Sequence, residues 1–303
     1  MGSKNLSPSS GRLSAWQAEL QLRADRTSGR SRVRRLRALG PLQMQKVLYP
    51  EGDGIAHVFI LHPPSGIAQD DHLRIEITAD DASHSVYTTP GATRWYKALP
   101  DAKQPAQQHV VLDLRNQSVV EWLPYENLYF DQAWAYNSLE IRLEDGCRAL
   151  GWDLHQFGRT SCGEPWQSGR AQTTLSLYVC DQLVWTESAQ WDSSHLMMQD
   201  DHHQLAGYSI TGSLWAFGPA MSTQDFEALA ASLPANPSCM AAVSQLPVTC
   251  PSPHGHSDPQ ALVIMRLLSN DPEQARSVCE QTRAFLRPLM MSAPAADLRI
   301  WAT

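Results

Sequence analysis

The segment GWDLHQFGRTSCGE, residues 151–164, holds carboxylates at Asp153 and Glu164, an imidazole at His155 and a thiol at Cys162. Side chains of these types serve as general acids or bases, as nucleophiles and as ligands of metal ions. The chain has no G-x-S-x-G, H-E-x-x-H, Walker or G-x-G-x-x-G motif that would select one of these chemistries. The segment is therefore an active site, a metal-handling surface or a polar loop.

Two histidine-rich tracts, HLMMQDDHHQL (195–205) and CPSPHGHSD (250–258), contain side chains that suit borderline divalent ions. The spacing C-x10-C-x3-H-x-H that begins at Cys239 does not match a structural zinc site, and no C-x2-C knuckle is present. We therefore favour surface loops that contain histidine over metal sites. The six cysteines are expected to be free thiols, mostly buried.

Three carboxylates are singled out by their positions in alternating strands. Asp71 falls in register with the apolar residues of HLRIEIT (72–78), Glu187 falls in register with Trp185, and Asp153 lies on the face opposite to the large apolar residues of its strand. An acid on an apolar face either ends the strand or is buried beside a partner, where desolvation raises its pKa. A strand end is the alternative for the first two acids, and a solvent-facing side chain is the alternative for Asp153.

A body of short strands would position these residues. HLRIEIT and VVLDLR (110–115) alternate strictly between apolar and polar residues. LEIRLEDGCRALGWDL (139–154) predicts a hairpin around its Asp-Gly dipeptide, with Ile141 facing Leu150. LSLYVCDQLVW (175–185) predicts a second hairpin with a three-residue turn. Many short strands with few helices indicate an all-β body.

The C-terminal part of the chain has a different pattern. STQDFEALAASL (222–233) begins with a serine–aspartate capping pair and continues with apolar residues at helical intervals. ALVIMRLL (261–268) predicts a buried strand. NDPEQARSVCEQTRAFLRPLMM (270–291) predicts a helix with an aspartate N-cap, and Pro288 should end or kink it. The stretch 234–259, rich in proline and serine, predicts a loop.

Composition and charge restrict the class of protein. The 303 residues are 43% apolar and 18% charged, as in a folded protein, and no apolar run is long enough to span a bilayer. The N-terminus lacks the apolar core of a secretory signal, so we expect a cytoplasmic protein that does not bind a membrane. The arginines of GRSRVRRLRALG (29–40) occupy both faces of a strand without an aromatic platform. A solvated strand face or a protein interface is therefore favoured over nucleic-acid binding.

Seven ordered segments of the chain match one known family. They are WQAELQLR (16–23), GPLQMQKVLYPEG (40–52), HPPSGI (62–67), TTPGATRWYK (88–97), EWLPYENLYFD (121–131), LGWDLHQFGRTSCGE (150–164) and RIWAT (299–303). In this order and spacing they resemble the urease accessory protein D family (UreD, called UreH in some bacteria). The resemblance implies a mainly β fold of stacked, β-helix-like sheets of many short strands, with two helices near the C-terminus.

The resemblance also implies a function. Members of the family bind UreF, which recruits the GTPase UreG, and the assembly docks on apo-urease to deliver nickel. UreD is the component nearest urease and is regarded as carrying Ni²⁺ through an internal polar tunnel. We therefore expect a non-enzymatic maturation factor that binds UreF directly, in a 2:2 complex, and contacts UreG through UreF. No cofactor should be bound tightly, and Ni²⁺ should be bound only transiently.

Alignment with the family and the strand pattern together select the residues of the expected nickel path. The three carboxylates chosen by strand pattern align with acids that the family retains near its tunnel, and Thr93 aligns with a hydroxyl position. The expected transient Ni²⁺ path therefore comprises Asp71, Thr93, Asp153 and Glu187. Glu126 and Glu164 are weaker candidates.

The chain departs from the family pattern in several places. In HPPSGIAQDD (62–71), Ser65 and Asp70 replace glycines, so these turns could differ in geometry and carry an additional charge. The histidine-rich stretches at 195–203 and 254–256 are not part of the pattern, and the resemblance assigns them no role.

We expect one domain over residues 1–303, with 1–12 disordered, a β body over 13–215 and an α/β portion over 216–303. The surface that binds UreF is expected around the two C-terminal helices and the segment LAGYSITGSLWAFGPA (205–220), although packing in the core is an equal alternative for that segment. Two other functions stay open from the sequence: an enzyme that acts on urease, for example by assisting lysine carbamylation, and, more distantly, a basic nucleic-acid-binding protein.

Overall fold

The computed structural model describes residues 15–192, 205–249 and 259–298. Within these ranges the chain forms mostly strands, arranged in two large sheets, and only two α-helices. The predicted mainly β fold is confirmed. The first twelve residues, the histidine-rich stretches at 195–203 and 254–256 and the RIWAT segment lie outside the described residues.

The elements are numbered in chain order. The strands are β1 (Gln17–Thr27), β2 (Arg30–Leu39), β3 (Gln43–Met44), β4 (Ile55–Leu61), β5 (Gly66–Ile67), β6 (His72–Ala79), β7 (His84–Thr88), β8 (Thr93–Trp95), β9 (Ala106–Leu114), β10 (Val119–Leu123), β11 (Asn127–Tyr129), β12 (Trp134–Leu143), β13 (Arg148–Phe157), β14 (Arg170–Val179), β15 (Gln182–Asp192), β16 (Ile210–Pro219), β17 (Ala235–Asn236), β18 (Cys239–Val248) and β19 (Gln260–Ser269). The helices are α1 (Thr223–Ser232) and α2 (Pro272–Met290), and a single 3-10 turn spans Thr160–Cys162.

The chain winds back and forth between the two sheets. The first sheet has the order β15-β14-β12-β9-β6-β1-β2, and the main path of the second is β17-β18-β19-β16-β13-β10-β7-β4-β3. β6, β9, β12 and β14 are parallel neighbours in the first sheet, as are β4, β7, β10 and β13 in the second. Between β6 and β14 the long strands alternate between the sheets (β6, β9, β12 and β14 in the first, β7, β10 and β13 in the second), so each turn of the chain adds one rung to both. This winding is the predicted β-helix-like stacking.

Short strands at the bends complete the rungs. β5, β8 and β11 form a parallel ladder that joins the end of β13. The bend between β7 and β8 contains Pro90 and Gly91, and the bend between β10 and β11 contains Pro124. Proline lacks the N–H that would continue a ladder, which accounts for the break between the two strands of each rung.

Both faces of the second sheet are covered, which explains the near-continuous apolar runs of its strands. On β13, Ala149 and Phe157 belong to the core between the sheets, whereas Trp152 and Leu154 belong to a second core beneath the helices. Asp153 lies on the inner face of β13, opposite to these large apolar residues as the strand pattern predicted.

The predicted hairpin around Asp145-Gly146 is wrong. β12 and β13 lie in different sheets, and the turn between them is a crossover. β12 already has parallel neighbours on both sides, β9 and β14, so neither edge is free to pair with β13. The residues that were predicted to face each other lie in different cores, because Ile141 belongs to the core between the sheets and Leu150 to the core beneath the helices.

The second predicted hairpin is confirmed as β14 and β15, which pair antiparallel. Its turn has two residues rather than three, because Cys180 (φ 49°) and Asp181 (φ 61°) both adopt the left-handed conformation of a tight hairpin turn. The loop predicted for 234–259 is wrong in part, because β17 and β18 lie within it. β18 pairs along its length with β19 and, among the residues that the structure describes, is otherwise paired only with the two residues of β17, so Pro247 is tolerated.

Both helices begin as the sequence predicted. Ser222 caps α1 by accepting a hydrogen bond from the backbone N–H of Asp225 (3.1 Å). Asp271 caps α2 by accepting from the backbone N–H groups of Glu273 (2.9 Å) and Gln274 (3.2 Å). Pro288 lies in the last turn of α2, which ends two residues later. Neither helix in the described ranges is both long and apolar enough to cross a membrane.

Two further expectations concern surface and core. The arginine-rich segment forms the edge strand β2, where Arg34 pairs with Asp25 and Arg37 with Glu19, as expected of a solvated strand face. The segment 205–220 contains β16, which lies between β13 and β19 in the second sheet and is mostly buried, so core packing is correct there.

The thiol prediction is confirmed for four of the cysteines in the described ranges. Cys147, Cys239 and Cys279 are buried free thiols, and Cys162 is an exposed one. The prediction is wrong for Cys180, which is disulfide-bonded.

Candidate functional site

A cavity of about 240 Å³ lies between the two sheets, at the bends of the winding chain. Its wall includes the bend residues Pro90 and Gly91 and side chains from the inner faces of both sheets. The polar residues on this wall include Thr89, Thr93, Asn127, Asn137 and Asp153. A cavity of this size with polar groups on its wall can hold several water molecules.

Local hydrogen bonds fix the bend that carries Thr93. The Thr89 hydroxyl donates to the carbonyl of Gly91 (3.0 Å) and accepts from the backbone N–H of Tyr125 (3.0 Å). The backbone N–H of Thr93 donates to the carbonyl of Glu126 (3.0 Å). The proline–glycine bend is thereby tied to the next rung, and Thr93 is held at the cavity wall.

Asp153 lies on the inner face of β13 and is held from both sheets. Its Oδ1 accepts a hydrogen bond from Nδ2 of Asn127 on β11 (2.6 Å), and its Oδ2 accepts from Nδ2 of Asn137 on β12 (3.2 Å). Nε2 of His155 lies 3.3 Å from the same Oδ2. The carboxylate side chain is only 14% exposed, so the solvent-facing alternative for Asp153 is wrong.

A second, smaller cavity of about 50 Å³ shares Asp153 with the first and also has His155 and Glu187 on its wall. Oε2 of Glu187 accepts a hydrogen bond from the Ser213 hydroxyl (3.0 Å), and its Oε1 pairs with Nε of Arg266 (3.0 Å). Glu187 lies within β15, so the strand-end alternative is wrong for this residue. Asp153 therefore lies at the junction of the two cavities, because it is on the wall of both.

Asp71 occupies a different place, directly before β6. Its buried carboxylate accepts hydrogen bonds from the backbone N–H groups of Trp16 (2.7 Å) and Ala68 (2.9 Å), so the strand-end alternative is correct. Asp71 lines neither cavity, but its charge reaches His62 on the wall of the larger one. Burial lowers the pKa of His62, and the charge of Asp71 opposes that shift. Nε2 of His62 is buried without a hydrogen-bond partner among the described residues.

The two weaker candidates are engaged elsewhere. Glu126 lies 3.6 Å from a guanidinium nitrogen of Arg276, and Glu164 forms an ion pair with Arg159 and is 52% exposed. Neither residue lines the two cavities. The structure thus brings together Thr93, Asp153 and Glu187, and places Asp71, Glu126 and Glu164 apart from them.

Sequence reasoning missed a buried ionic cluster beneath α2. The carboxylate of Glu121 is fully buried and accepts hydrogen bonds from Nε of Arg283 (2.7 Å) and Nε of Arg287 (2.9 Å), with Nε2 of His84 at 2.8 Å. Burial alone would raise the pKa of Glu121, but Arg283, His84 and Arg287 hold it far below its usual value. Two features of the sequence could have indicated this cluster: an acid within the apolar run VVEWL, and two arginines four residues apart on α2.

The polar groups on the walls of the two cavities offer a metal ion weak contacts at separate places. No three His, Cys, Asp or Glu side chains in the described ranges converge as metal ligands. Carboxylate, hydroxyl, amide and imidazole groups instead follow one another along the cavity walls, and each can contact a passing divalent cation. Cys162 lies outside this arrangement, exposed at the end of the 3-10 turn.

Comparison with known proteins gives one consistent answer. The profile of the UreD urease accessory protein family matches residues 17–302. The urease accessory protein UreD of Ralstonia nicotianae is 38% identical over 289 residues, which cover 95% of each chain. The UreD proteins of Cupriavidus metallidurans and Bordetella pertussis are each 37% identical, over 96% of this chain and over 96% and 99% of their own. The chain therefore belongs to the UreD family of urease accessory proteins.

Proposed function

We propose that this urease accessory protein acts in the cytoplasm as a non-enzymatic scaffold and conduit that passes Ni²⁺ to apo-urease. The observation that carries the proposal is the position of Asp153, which lies at the junction of two cavities between the sheets that both have polar groups on their walls. A cation that moves from the larger cavity to the smaller one meets this carboxylate on the way. Nickel is the cargo of such a path and not a resident cofactor.

A transit path must bind its ion weakly at every step. A nanomolar site is about 12 kcal/mol deep, and the ion would leave it too slowly without a trigger. Clusters of Cys and His would retain Ni²⁺, which ranks high in the affinity series of divalent metals. Single carboxylates and hydroxyls separated by water allow the ion to move between several shallow sites, as in multi-site channels.

The contacts of each path residue suit a shallow site. Asp153 is already hydrogen-bonded by Asn127 and Asn137, so an arriving ion competes with two amides for its oxygens. Glu187 is paired with Arg266, which reduces the attraction of that carboxylate for a cation. Thr93 offers a neutral hydroxyl at the larger cavity. Asp71 acts at a distance, through its charge on His62.

The partners in this proposal are UreF by direct contact, the GTPase UreG through UreF, and apo-urease. We place the surface for UreF at α1 and the adjoining β18. Met240 (42% exposed) and Leu246 (40% exposed), both on β18, are large apolar side chains that a partner could cover, and Phe226 of α1 is only partly buried. Met240 and Leu246 are an even number of residues apart and so share one face of β18, and exposed apolar side chains on a shared face are typical of protein–protein contacts.

The conduit is tested by reconstituting urease activation from purified components at limiting Ni²⁺. Asp153→Asn should lower the rate of activation at least about tenfold, because the junction loses its charge while its shape is kept. Glu140→Gln is the matched control, since Glu140 is paired with Arg142 on the outward-facing side of β12. Equal activation by both variants, each folded and bound to UreF, would reject the carboxylate path.

The scaffold role is tested by co-expressing the chain with UreF and measuring the mass of the complex by size-exclusion chromatography with light scattering. We expect a 2:2 complex. Met240→Asp and Leu246→Asp together should prevent it if the surface is placed correctly, because a charge cannot be buried without a partner. A chain that stays alone in the presence of UreF would contradict the scaffold role.

A further inference from the structure

Asp153 and His155 are two residues apart on β13, so both side chains point to its inner face. Nε2 of His155 lies 3.3 Å from Oδ2 of Asp153, and both residues line the smaller cavity. Two adjacent ligands of an octahedral ion, each about 2.1 Å from the metal, are about 3 Å apart. The pair therefore already has nearly the separation of two neighbouring ligands of one ion.

Nδ1, the second ring nitrogen of His155, has a hydrogen-bond partner that suits either tautomer of the ring. The Tyr129 hydroxyl lies 3.2 Å from Nδ1. A hydroxyl can donate to Nδ1 while Nε2–H faces Asp153, and it can accept from Nδ1–H when Nε2 binds an ion. Binding of an ion through Nε2 thus requires a change of tautomer, in which one proton leaves Nε2 for solvent and one is taken up at Nδ1 from solvent.

The ring is also held in place, and there is space beside it. The ring centroids of His155 and Trp191 are 5.5 Å apart, and those of His155 and Tyr129 are 6.0 Å apart. The cavity in front of the pair, about 50 Å³, is also lined by Thr211 and Ser213, and a space of this size accommodates an ion with its water ligands. A metal-binding histidine fixed through its second nitrogen is the usual arrangement in metal sites.

We propose that Asp153 and His155 form a transient site that selects borderline transition-metal ions at the junction of the two cavities. The proposal rests on the conduit function and gives it a basis for selectivity. A path of oxygen ligands alone accepts Mg²⁺ and Ca²⁺, whereas an imidazole favours Ni²⁺, Co²⁺, Cu²⁺ and Zn²⁺. With two protein ligands, and water as the remainder, the site is shallow enough to release its ion.

The test compares His155→Gln with His109→Gln in the complex of the full chain with UreF. His109 lies on β9 and is hydrogen-bonded to Ser138, and it lines neither of the two cavities. By titration calorimetry with Ni²⁺, His155→Gln should lose one weak site, and His109→Gln should keep it. Excess Mg²⁺ should inhibit urease activation by His155→Gln at least about tenfold more than activation by the wild type, because selection at the junction is lost.

The outcomes separate this proposal from the conduit itself. If Asp153→Asn abolishes activation but His155→Gln keeps the Ni²⁺ site and its resistance to Mg²⁺, the imidazole site is wrong and the conduit stands. If neither variant has an effect, both fail.

Should His155→Gln not fold, the wild-type complex is treated with Cu²⁺ and ascorbate, which oxidise histidines that bind the metal. Mass spectrometry should find oxidation at His155 that Ni²⁺ prevents and Mg²⁺ does not. An unoxidised His155 would overturn the proposal.

Discussion

Nε of Arg287 lies 2.9 Å from Oε1 of Glu121, although 166 residues separate the two along the chain. The same guanidinium donates from its two terminal nitrogens to Glu51 (2.6 and 2.8 Å) and from Nη1 to the carbonyl of Pro294 (2.5 Å). Arg287 is completely buried. One side chain thus joins α2, β10, the segment before β4 and the chain that follows α2.

Replacing Arg287 should therefore destabilise the fold severely. Arg287→Met keeps the bulk of the side chain but leaves Glu121 and Glu51 buried with fewer partners, and removal of one member of a buried ion pair costs about 3–5 kcal/mol. Chemical denaturation should show a loss of unfolding free energy in this range. Arg142→Met is the control, because Arg142 is 59% exposed and pairs with Glu140 at the surface, and should cost less than about 1 kcal/mol. Similar losses for the two variants would contradict a special role for the cluster.

The cluster also predicts sensitivity to acid. Burial would raise the pKa of Glu51, but hydrogen bonds from His57 and Arg287 lower it to about 2, below its ordinary 4.5. A carboxyl whose pKa is lower in the folded state contributes stability above its unfolded pKa, and this contribution is lost as the pH falls through the folded pKa. The unfolding free energy should therefore fall between about pH 4.5 and 2.

Glu51→Gln should be less stable at pH 7 and should show a weaker pH dependence in this window, measured by denaturation at several pH values. Parallel pH profiles would exclude Glu51 as a source of the effect.

The features that sequence reasoning predicted correctly depend on near neighbours along the chain. The caps at Ser222 and Asp271 use backbone N–H groups two or three residues away, so the residues themselves specify them. The position of Asp153 on the face opposite to Trp152 and Leu154 follows from the two-residue period of a strand, whereas the strand pattern left open whether that face meets solvent. The imidazole of His155 shares that face by the same rule, so the Asp-x-His pair could have been noticed.

The features that were missed depend on residues far apart in the sequence. The alternation in β12 and β13 fits a hairpin and a crossover equally well, and only the ladders from β9 and β14 decide between them. Arg287 on α2 would be expected at the surface, and it is buried because Glu121 and Glu51 meet it there. By the alternation of residue types, Asp71 and Glu187 each fall on the apolar face of their own strand. Only Glu187 lines one of the two cavities.

Two of the departures from the family pattern have measurable consequences. Ser65 (φ 59°) and Asp70 (φ 64°) both adopt the left-handed conformation that glycine favours, so these turns keep a glycine-like backbone with other side chains. Ser65→Gly should stabilise the protein by about 0.5–1 kcal/mol, because relief of about 1–2 kcal/mol of strain exceeds an entropic cost of about 0.5–1 kcal/mol.

Asp70→Gly should not give this gain, and thermal denaturation of both variants provides the comparison. Oδ1 of Asp70 accepts hydrogen bonds from the backbone N–H groups of Gln104 (2.9 Å) and Lys103 (3.2 Å), and glycine would lose both. Each such bond contributes about 1 kcal/mol, which offsets the relief of strain. Equal stabilisation by the two substitutions would show that these hydrogen bonds contribute nothing.

If nickel transfer needs shallow sites, a deeper site at the junction should slow it. Asn137→Asp places a second carboxylate about where the Asn137 amide now lies, 3.2 Å from Oδ2 of Asp153 and on the wall of the same cavity. Together with His155, an ion there would have three protein ligands instead of two. We expect Ni²⁺ affinity to rise at least about tenfold and the rate of urease activation to fall, because the ion leaves a deeper site more slowly. Equilibrium dialysis and the activation assay measure the two quantities separately. Asn137→Ser is the control, since it removes the amide without adding charge and should not increase Ni²⁺ retention. A variant that retains nickel more tightly and still activates urease at the wild-type rate would show that the ion does not pass Asp153.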